Sequence, residues 1–130
     1  MQPSDPVSAD HVERVSATPA AEVALRHTGE DVVIAACGEF DAVTSPRLRE
    51  TVHHALAEKP STLVLDLTET VFFSSVAISV LVDAVLTAGD RTVIRLVVPR
   101  RVRRTLSMLG MDHYFDYYET AEDALTARLR

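Results

Sequence analysis

The sequence has few of the residues that several classes of protein require. Cys37 is its only cysteine, so the chain can form neither an intramolecular disulfide nor a metal site that needs several cysteine ligands. A single cysteine fits a reducing compartment. We expect Cys37 to behave as a small buried residue in a strand.

Positive charge and long apolar runs are also scarce. The chain has 13 lysines and arginines against 19 aspartates and glutamates, a net charge of −6. It therefore offers no general attraction to the phosphates of nucleic acid, and we expect no nucleic-acid partner. No run of about 18 apolar residues occurs, and residues 1–20 lack the apolar stretch of a secretion signal. We expect no membrane association and a cytoplasmic location.

What the sequence does contain is enough for one folded domain. Its 130 residues are 47% hydrophobic and 25% charged, which is typical of a soluble globular protein with one core. Residues 1–20 include three prolines and no sustained apolar period. We predict a flexible tail over residues 1–20 and a single domain over residues 21–130.

Periodicity and turn residues predict an α/β fold. Strands are expected at residues 23–28, 32–37, 63–65 and 93–98, with a short edge strand at 117–118. Helices are expected to begin near Ser45, Ser74, Pro99 and Thr120. This order predicts a mixed sheet, in which an N-terminal hairpin precedes parallel βαβ units, covered by about four helices.

Three element ends have local signals. Thr44 and Ser45 offer a hydroxyl cap ahead of Pro46 in the first helix. The apolar run 63–65 is typical of a central strand buried on both faces, and we expect it to end at Asp66. In the third helix, residues 102, 106 and 109 are expected to form the apolar face.

The second predicted helix carries a polar stripe on an otherwise apolar surface. The stripe consists of Ser75, Ser79, Asp83 and Thr87. Val76, Val82 and Leu86 fall within or beside the same arc, so we expect these apolar side chains to be partly exposed. They are a candidate docking patch for a protein. The alternative is a core helix covered by a neighbouring element.

Ser74 and Ser75 lie at the start of this helix. Its unpaired N–H groups and positive dipole would accommodate a phosphate. Phosphorylation would add about −1.5 to −2 charges beside the apolar patch. Alternatively, one of the two serines only caps the helix.

Three segments carry a recognisable pattern. The first is Gly38-Glu39-Phe40-Asp41, followed by Thr44 and Leu48. The second runs from Asp66-Leu67-Thr68 through Phe72-Phe73 and Ser74-Ser75 to residues 78–81. The third comprises Val98-Pro99, Val102, Leu106 and Gly110-Met111. In this order and spacing, across residues 22–128, they resemble STAS domains, the sulfate-transporter and anti-sigma-factor-antagonist family.

The resemblance to the antagonist branch implies a function. The unphosphorylated protein would bind an anti-sigma factor that is also a Ser/Thr kinase with a histidine-kinase-like ATPase fold, which frees the sigma factor and regulates transcription. Phosphorylation would end the binding, and a phosphatase would reset the cycle. The resemblance implies a non-enzymatic protein without a cofactor, which we expect to be a monomer or weak dimer.

The resemblance also assigns site residues. Ser75 falls on the serine that the kinase phosphorylates, with Ser74 as second choice. The expected partner contacts are Asp41, Thr44, Asp66, Thr68, Phe73, Ser74, Ser75, Val76, Ser79, Val82, Asp83 and Leu86. The chain has Ser74 where the family usually has aspartate, Val76 for Ser or Thr, and Ala77 for glycine. A STAS interaction or scaffold module that is not phosphorylated is therefore the alternative.

Other site types have less support. A response-regulator receiver phosphorylated on Asp66 needs a lysine after a later strand, but the only lysine, Lys59, precedes Asp66. The sequence has no nucleophile elbow, P-loop or dinucleotide fingerprint. The adjacent His53 and His54 point in different directions on a helix, which argues against a shared metal.

A basic cluster begins the third predicted helix. It consists of Arg100, Arg101, Arg103 and Arg104. The cluster is either a solvated face or a contact for an acidic partner or a phosphate.

Overall fold

The computed structural model describes residues 11–17 and 20–127. Its strands are β1 (His11–Ala17), β2 (Ala21–Thr28), β3 (Asp31–Phe40), β4 (Thr62–Phe73), β5 (Val93–Val97) and β6 (Asp116–Tyr117). Its helices are α1 (Ser45–Ala57), α2 (Ser75–Ala88), α3 (Arg100–Met108) and α4 (Ala121–Thr126). A short 3-10 helix, Asp112–Tyr114, follows α3.

The six strands form one mixed sheet in the order β1-β2-β3-β4-β5-β6. β1, β2 and β3 pair antiparallel, whereas β3, β4, β5 and β6 pair parallel. Parallel neighbours require a crossover, which α1 provides between β3 and β4 and α2 provides between β4 and β5. The predicted α/β fold, with its hairpin, parallel units and four helices, is confirmed.

The core has two layers because the central strand β4 is buried on both faces. Leu63 and Leu65 pack into the larger cluster, which also contains the buried side chains of α1, α2 and α3. Val64 points the other way and packs with Ala124 of α4. All three β4 residues are 0% exposed, as the apolar run predicts. α1, α2 and α3 therefore cover one face of the sheet, and α4 covers the other.

β1 corrects the prediction of a flexible tail over residues 1–20. Residues 11–17 pair antiparallel with β2, from His11 opposite His27 to Ala17 opposite Glu22. An edge strand is held through main-chain hydrogen bonds to a single neighbour, so it needs no sustained apolar alternation. Residues 1–10 and 18–19 of the predicted tail lie outside the described residues, as do residues 128–130 of the predicted domain.

β4 is also longer than predicted. It continues past Asp66 to Phe73, and beyond Asp66 it pairs with β3 alone because β5 ends opposite Asp66. This stretch lacks a second neighbour, which explains why polar residues enter it and why the apolar run did not reveal it. Cys37 lies in β3 as expected, but it is half-buried rather than buried.

Gly38 is required by a close approach of two main chains. Its φ is +101°, and a β-carbon there would lie 2.1 Å from the Ala20 carbonyl oxygen. The same oxygen accepts a hydrogen bond from the Glu39 N–H at 2.8 Å. The first residue of the Gly38–Asp41 segment therefore has a structural reason to be glycine.

Candidate functional site

Ser74 caps α2. Its N–H donates to the Phe40 carbonyl oxygen at 2.9 Å, which ties the end of β4 to the end of β3. Its hydroxyl accepts a hydrogen bond from the Ala77 N–H at 3.3 Å, which satisfies one of the free donors of the first turn. The capping role that the sequence left open between the two serines thus belongs to Ser74.

Ser75 is the first residue of α2 and is exposed. Within the described residues its hydroxyl makes no hydrogen bond, so it is accessible to a modifying enzyme. Val76 is 39% exposed, and Ala77 is buried with ordinary helical geometry. A glycine is therefore not needed at position 77 for the backbone to adopt this conformation.

A tight turn after β3 adjoins the start of α2. Asp41 Oδ1 accepts hydrogen bonds from the N–H groups of Val43 (2.9 Å) and Thr44 (3.1 Å). These hydrogen bonds lower the pKa of Asp41 below its ordinary 3.8, and the bond from the Thr44 N–H has the largest effect. Thr44 Oγ1 accepts from the Asp41 N–H and donates to the Glu39 carbonyl oxygen. The predicted hydroxyl cap of α1 is therefore wrong for Thr44, because its hydroxyl is used within this turn.

Ser45, the other candidate cap, does not cap α1 either. It is the first residue of α1, is fully buried, and its Oγ has no hydrogen-bond partner among the described residues.

Phe73 is half-buried, and its ring packs against Phe40 with the centroids 6.2 Å apart. Phe73 thus supports the junction of β3, β4 and α2 from the core side.

An open groove of about 560 Å³ runs along the outer surface of α2 between α1 and α3. Its lining comprises Arg49, Ser75, Ile78, Ser79, Val82, Asp83, Leu86, Thr105 and Leu109. Leu86 is 76% exposed, and the predicted partial exposure of Val76, Val82 and Leu86 is confirmed. Leu109 is 57% exposed and lines the groove, so it is not buried with the other two residues of the predicted apolar face of α3. α2 therefore buries one face and leaves the other uncovered.

Polar contacts bridge α1 and α2 beside this groove. Arg49 Nη1 donates to Asp83 Oδ2 at 3.0 Å, and Arg49 Nη2 donates to Ser79 Oγ at 3.3 Å. His53 Nε2 lies 2.5 Å from the same Asp83 oxygen. Two of the predicted partner contacts, Ser79 and Asp83, thus already have intramolecular partners. Sequence reasoning missed Arg49 and His53, although their four-residue spacing matches that of Ser79 and Asp83.

Asp66 and Thr68 are not brought to the groove. Asp66 Oδ1 accepts hydrogen bonds from the Thr68 N–H (3.2 Å) and hydroxyl (2.7 Å). Val64 faces α4. Asp66 lies two residues further along β4, so its side chain projects from the same face of the sheet, on the side away from α2. Beyond Asp66, where we expected the strand to end, the chain continues as part of β4.

Two arginines of the basic cluster at α3 contact other parts of the protein. Arg101 donates to the Thr70 carbonyl oxygen at 2.5 Å, and the Arg103 guanidinium lies 4.2 Å from the ring centre of Tyr117. Arg100 and Arg104 are exposed.

In the part of the chain that the structure describes, no three His, Cys, Asp or Glu side chains are grouped to hold a metal ion. No helix among these residues has the length and apolarity needed to cross a membrane.

Comparisons with known proteins agree with this geometry. Residues 22–124 match the sequence model of the STAS domain. The anti-sigma-F factor antagonist RsfB of Mycobacterium tuberculosis is 32% identical over 95 residues, which cover 72% of this chain and 78% of RsfB.

Solved structures of anti-sigma factor antagonists superpose on this chain. An anti-sigma factor antagonist from Mycobacterium paratuberculosis superposes with a TM-score of 0.76 at 30% identity, covering 85% of this chain and 96% of that one. The phosphorylated form of the Bacillus cell fate determinant SpoIIAA superposes with a TM-score of 0.63 at 19% identity, covering 79% and 96%. The likeness to SpoIIAA is one of fold.

Proposed function

The chain belongs to the STAS domain family, in its anti-sigma factor antagonist branch, and from this premise we propose that it binds an anti-sigma factor that is also a Ser/Thr kinase with a histidine-kinase-like ATPase fold. Binding releases the sigma factor. Phosphorylation of Ser75 by the kinase ends the binding, and a phosphatase restores it. The protein acts by binding and not by catalysis, in the cytoplasm, where the kinase has ATP.

The observation that carries this proposal is that Ser75 lines the same open groove as Val82 and Leu86. Exposed apolar side chains beside polar ones are typical of a protein-docking surface. A phosphate on Ser75 would bring about −1.5 to −2 charges into this surface. A docked partner would then have to bury that charge or leave, because burying an uncompensated charge costs several kcal/mol. The groove therefore supports both binding and switching.

The geometry favours Ser75 over Ser74 as the acceptor. The Ser74 hydroxyl is half-buried and already accepts a hydrogen bond from Ala77, whereas Ser75 is exposed. A Bacillus protein of the same fold, SpoIIAA, is known in a phosphorylated form. Phosphorylation of Ser75 would leave the cap of α2 in place.

The proposal is tested with purified protein, ATP and the candidate anti-sigma kinases of the same genome. We expect mass spectrometry to find phosphate on Ser75, and calorimetry to show tight binding of the kinase to the wild type and to Ser75→Ala. Ser75→Asp should bind at least about tenfold more weakly, a loss of about 1.4 kcal/mol. Ser61→Asp is the matched control, because Ser61 is exposed just before β4, at the opposite end of that strand from Ser75.

Two results would lead elsewhere. Binding without phosphate on Ser75 or Ser74, and with equal affinity for Ser75→Asp, would identify a STAS scaffold module that lacks the switch. Absence of binding to every anti-sigma kinase of the genome would contradict the proposed partner class.

A further inference from the structure

Arg49 is the only cationic side chain among the described residues that line the groove. It extends from α1 to Ser79 and Asp83 on α2, the residues one and two turns after Ser75. From these contacts we propose that Arg49 binds the phosphate on Ser75, so that phosphorylation rearranges the bridge between α1 and α2. This inference rests on the proposed switching function and adds the residue that detects the modification.

The distance that Arg49 must move is short. Ser75 and Ser79 lie on successive turns of α2, about 6 Å apart along the helix axis. Arg49 is 39% exposed in its side chain, so the flexible arginine is free to turn toward the N-terminal end of the groove.

The exchange leaves no buried group without a partner. When Arg49 turns away, Asp83 keeps His53 Nε2 at 2.5 Å, and Asp83 is itself one-third exposed. Ser79 keeps its own hydrogen bond, from Oγ to the Val76 carbonyl oxygen at 2.6 Å. A phosphate carries more charge than the carboxylate of Asp83 and offers three acceptor oxygens to the planar guanidinium. The phosphate therefore competes well with Asp83 for Arg49.

The consequence is a change in the docking surface beyond the added charge. In the unphosphorylated protein Arg49 donates hydrogen bonds to Ser79 and Asp83, whereas in the phosphorylated protein these two side chains are released from it. An aspartate at position 75 has a shorter reach and a single charge, so it should recruit Arg49 less. Ser75→Asp is thus expected to weaken partner binding less than phosphoserine does.

The test places phosphoserine at position 75 by genetic encoding, which makes it independent of any kinase. The pKa of the phosphate is read from its ³¹P NMR titration in the wild type, Arg49→Gln and Arg47→Gln. Arg47 is the matched control, since it is an exposed arginine on α1 that does not line the groove. A bound guanidinium stabilises the dianion, so the phosphate pKa should rise by about 0.5 or more in Arg49→Gln, a threefold change in its acid constant. Arg47→Gln should match the wild type.

A second measurement needs no substitution at Arg49. The ¹H–¹⁵N signal of the Arg49 side chain should shift when position 75 changes from serine to phosphoserine. An unchanged Arg49 signal, or equal phosphate pKa values in all three proteins, would overturn the inference. If the partner is still released by phosphoserine in that case, the proposed function stands without Arg49. If Arg49 binds the phosphate but no anti-sigma factor binds the protein, the proposed function fails instead.

Discussion

Arg49 on α1 and Asp83 on α2 are joined by a hydrogen-bonded ion pair of 3.0 Å, 34 residues apart in the sequence. The pair connects two helices that lie on the same face of the sheet and frame the groove beside Ser75. It therefore links α1 to the surface on which a partner is proposed to dock.

Removing this bridge should have a small and salt-dependent effect on stability. Both side chains are about one-third or more exposed, so Asp83→Ala should lower the free energy of unfolding by only about 0.5–1 kcal/mol. The loss should shrink in about 1 M salt, where exposed charges are screened. Urea denaturation at low and high salt measures both values. Glu50→Ala, at an exposed position on α1, should change stability by less than about 0.5 kcal/mol.

Gly38→Ala should be much more damaging. Alanine would have to adopt a φ of +101° and would place its β-carbon 2.1 Å from the Ala20 carbonyl oxygen. Strain of this kind costs about 1–3 kcal/mol, and the displaced main chain adds to it. Gly29 is the matched control, because its φ is also positive, at +62°, but a β-carbon there meets nothing within 4 Å. If Gly29→Ala and Gly38→Ala had equal urea midpoints, the close approach to Ala20 would be irrelevant to stability.

The turn at Asp41 should make stability depend on pH in the acid range. Because the pKa of Asp41 is lower in the folded protein than its ordinary 3.8, its contribution is present above that value and is lost as the pH falls through the lowered pKa. Asp41→Asn should therefore be less stable than the wild type at about pH 6, and the difference should shrink as the pH falls below 3.8. Urea denaturation across this range measures the difference. A gap that stayed constant with pH would show that the carboxylate charge is not involved.

Substitutions at Ser74 and Ser75 should distinguish the residue that caps α2 from the residue proposed to be phosphorylated. Ser74→Ala removes the side-chain acceptor of the Ala77 N–H and should cost about 1 kcal/mol. Ser74→Asp restores the aspartate that is usual in the family and should retain stability, since aspartate caps as well as serine does. Ser75→Ala should stay within about 0.5 kcal/mol because the Ser75 side chain is exposed. Thermal unfolding of the three variants decides this, and a large loss for Ser75→Ala would contradict the assignment of the cap to Ser74.

Local patterns were sufficient to predict the core of this fold. The apolar run Leu63 to Leu65 indicated a strand buried on both faces, and all three residues are 0% exposed. The helical spacing in α2 indicated which apolar residues stay outside, including Leu86. These features depend on neighbours within a few positions along the chain, so sequence periodicity carries them.

The features that were missed depend on pairing between distant segments. β1 forms because the edge of β2 offers main-chain partners, and β4 extends because β3 continues beside it. The contacts of Arg49 and His53 with Asp83 depend on how α1 lies against α2. Helical periodicity shows which side of a helix is apolar. It does not show which residue of another helix a charged side chain contacts.

Leu86 tests the docking surface with the least disturbance to the fold. Its side chain is 76% exposed at the C-terminal part of the groove, so Leu86→Asp should change the free energy of unfolding by less than about 0.5 kcal/mol. A docked partner would cover Leu86, and an aspartate buried there without a counter-charge should weaken binding at least about tenfold. Calorimetry with the anti-sigma factor measures this. Tyr114→Asp is the control, because Tyr114 is 51% exposed and does not line this groove. Equal affinities of Leu86→Asp and the wild type would mean that the partner docks elsewhere, whatever Ser75 does.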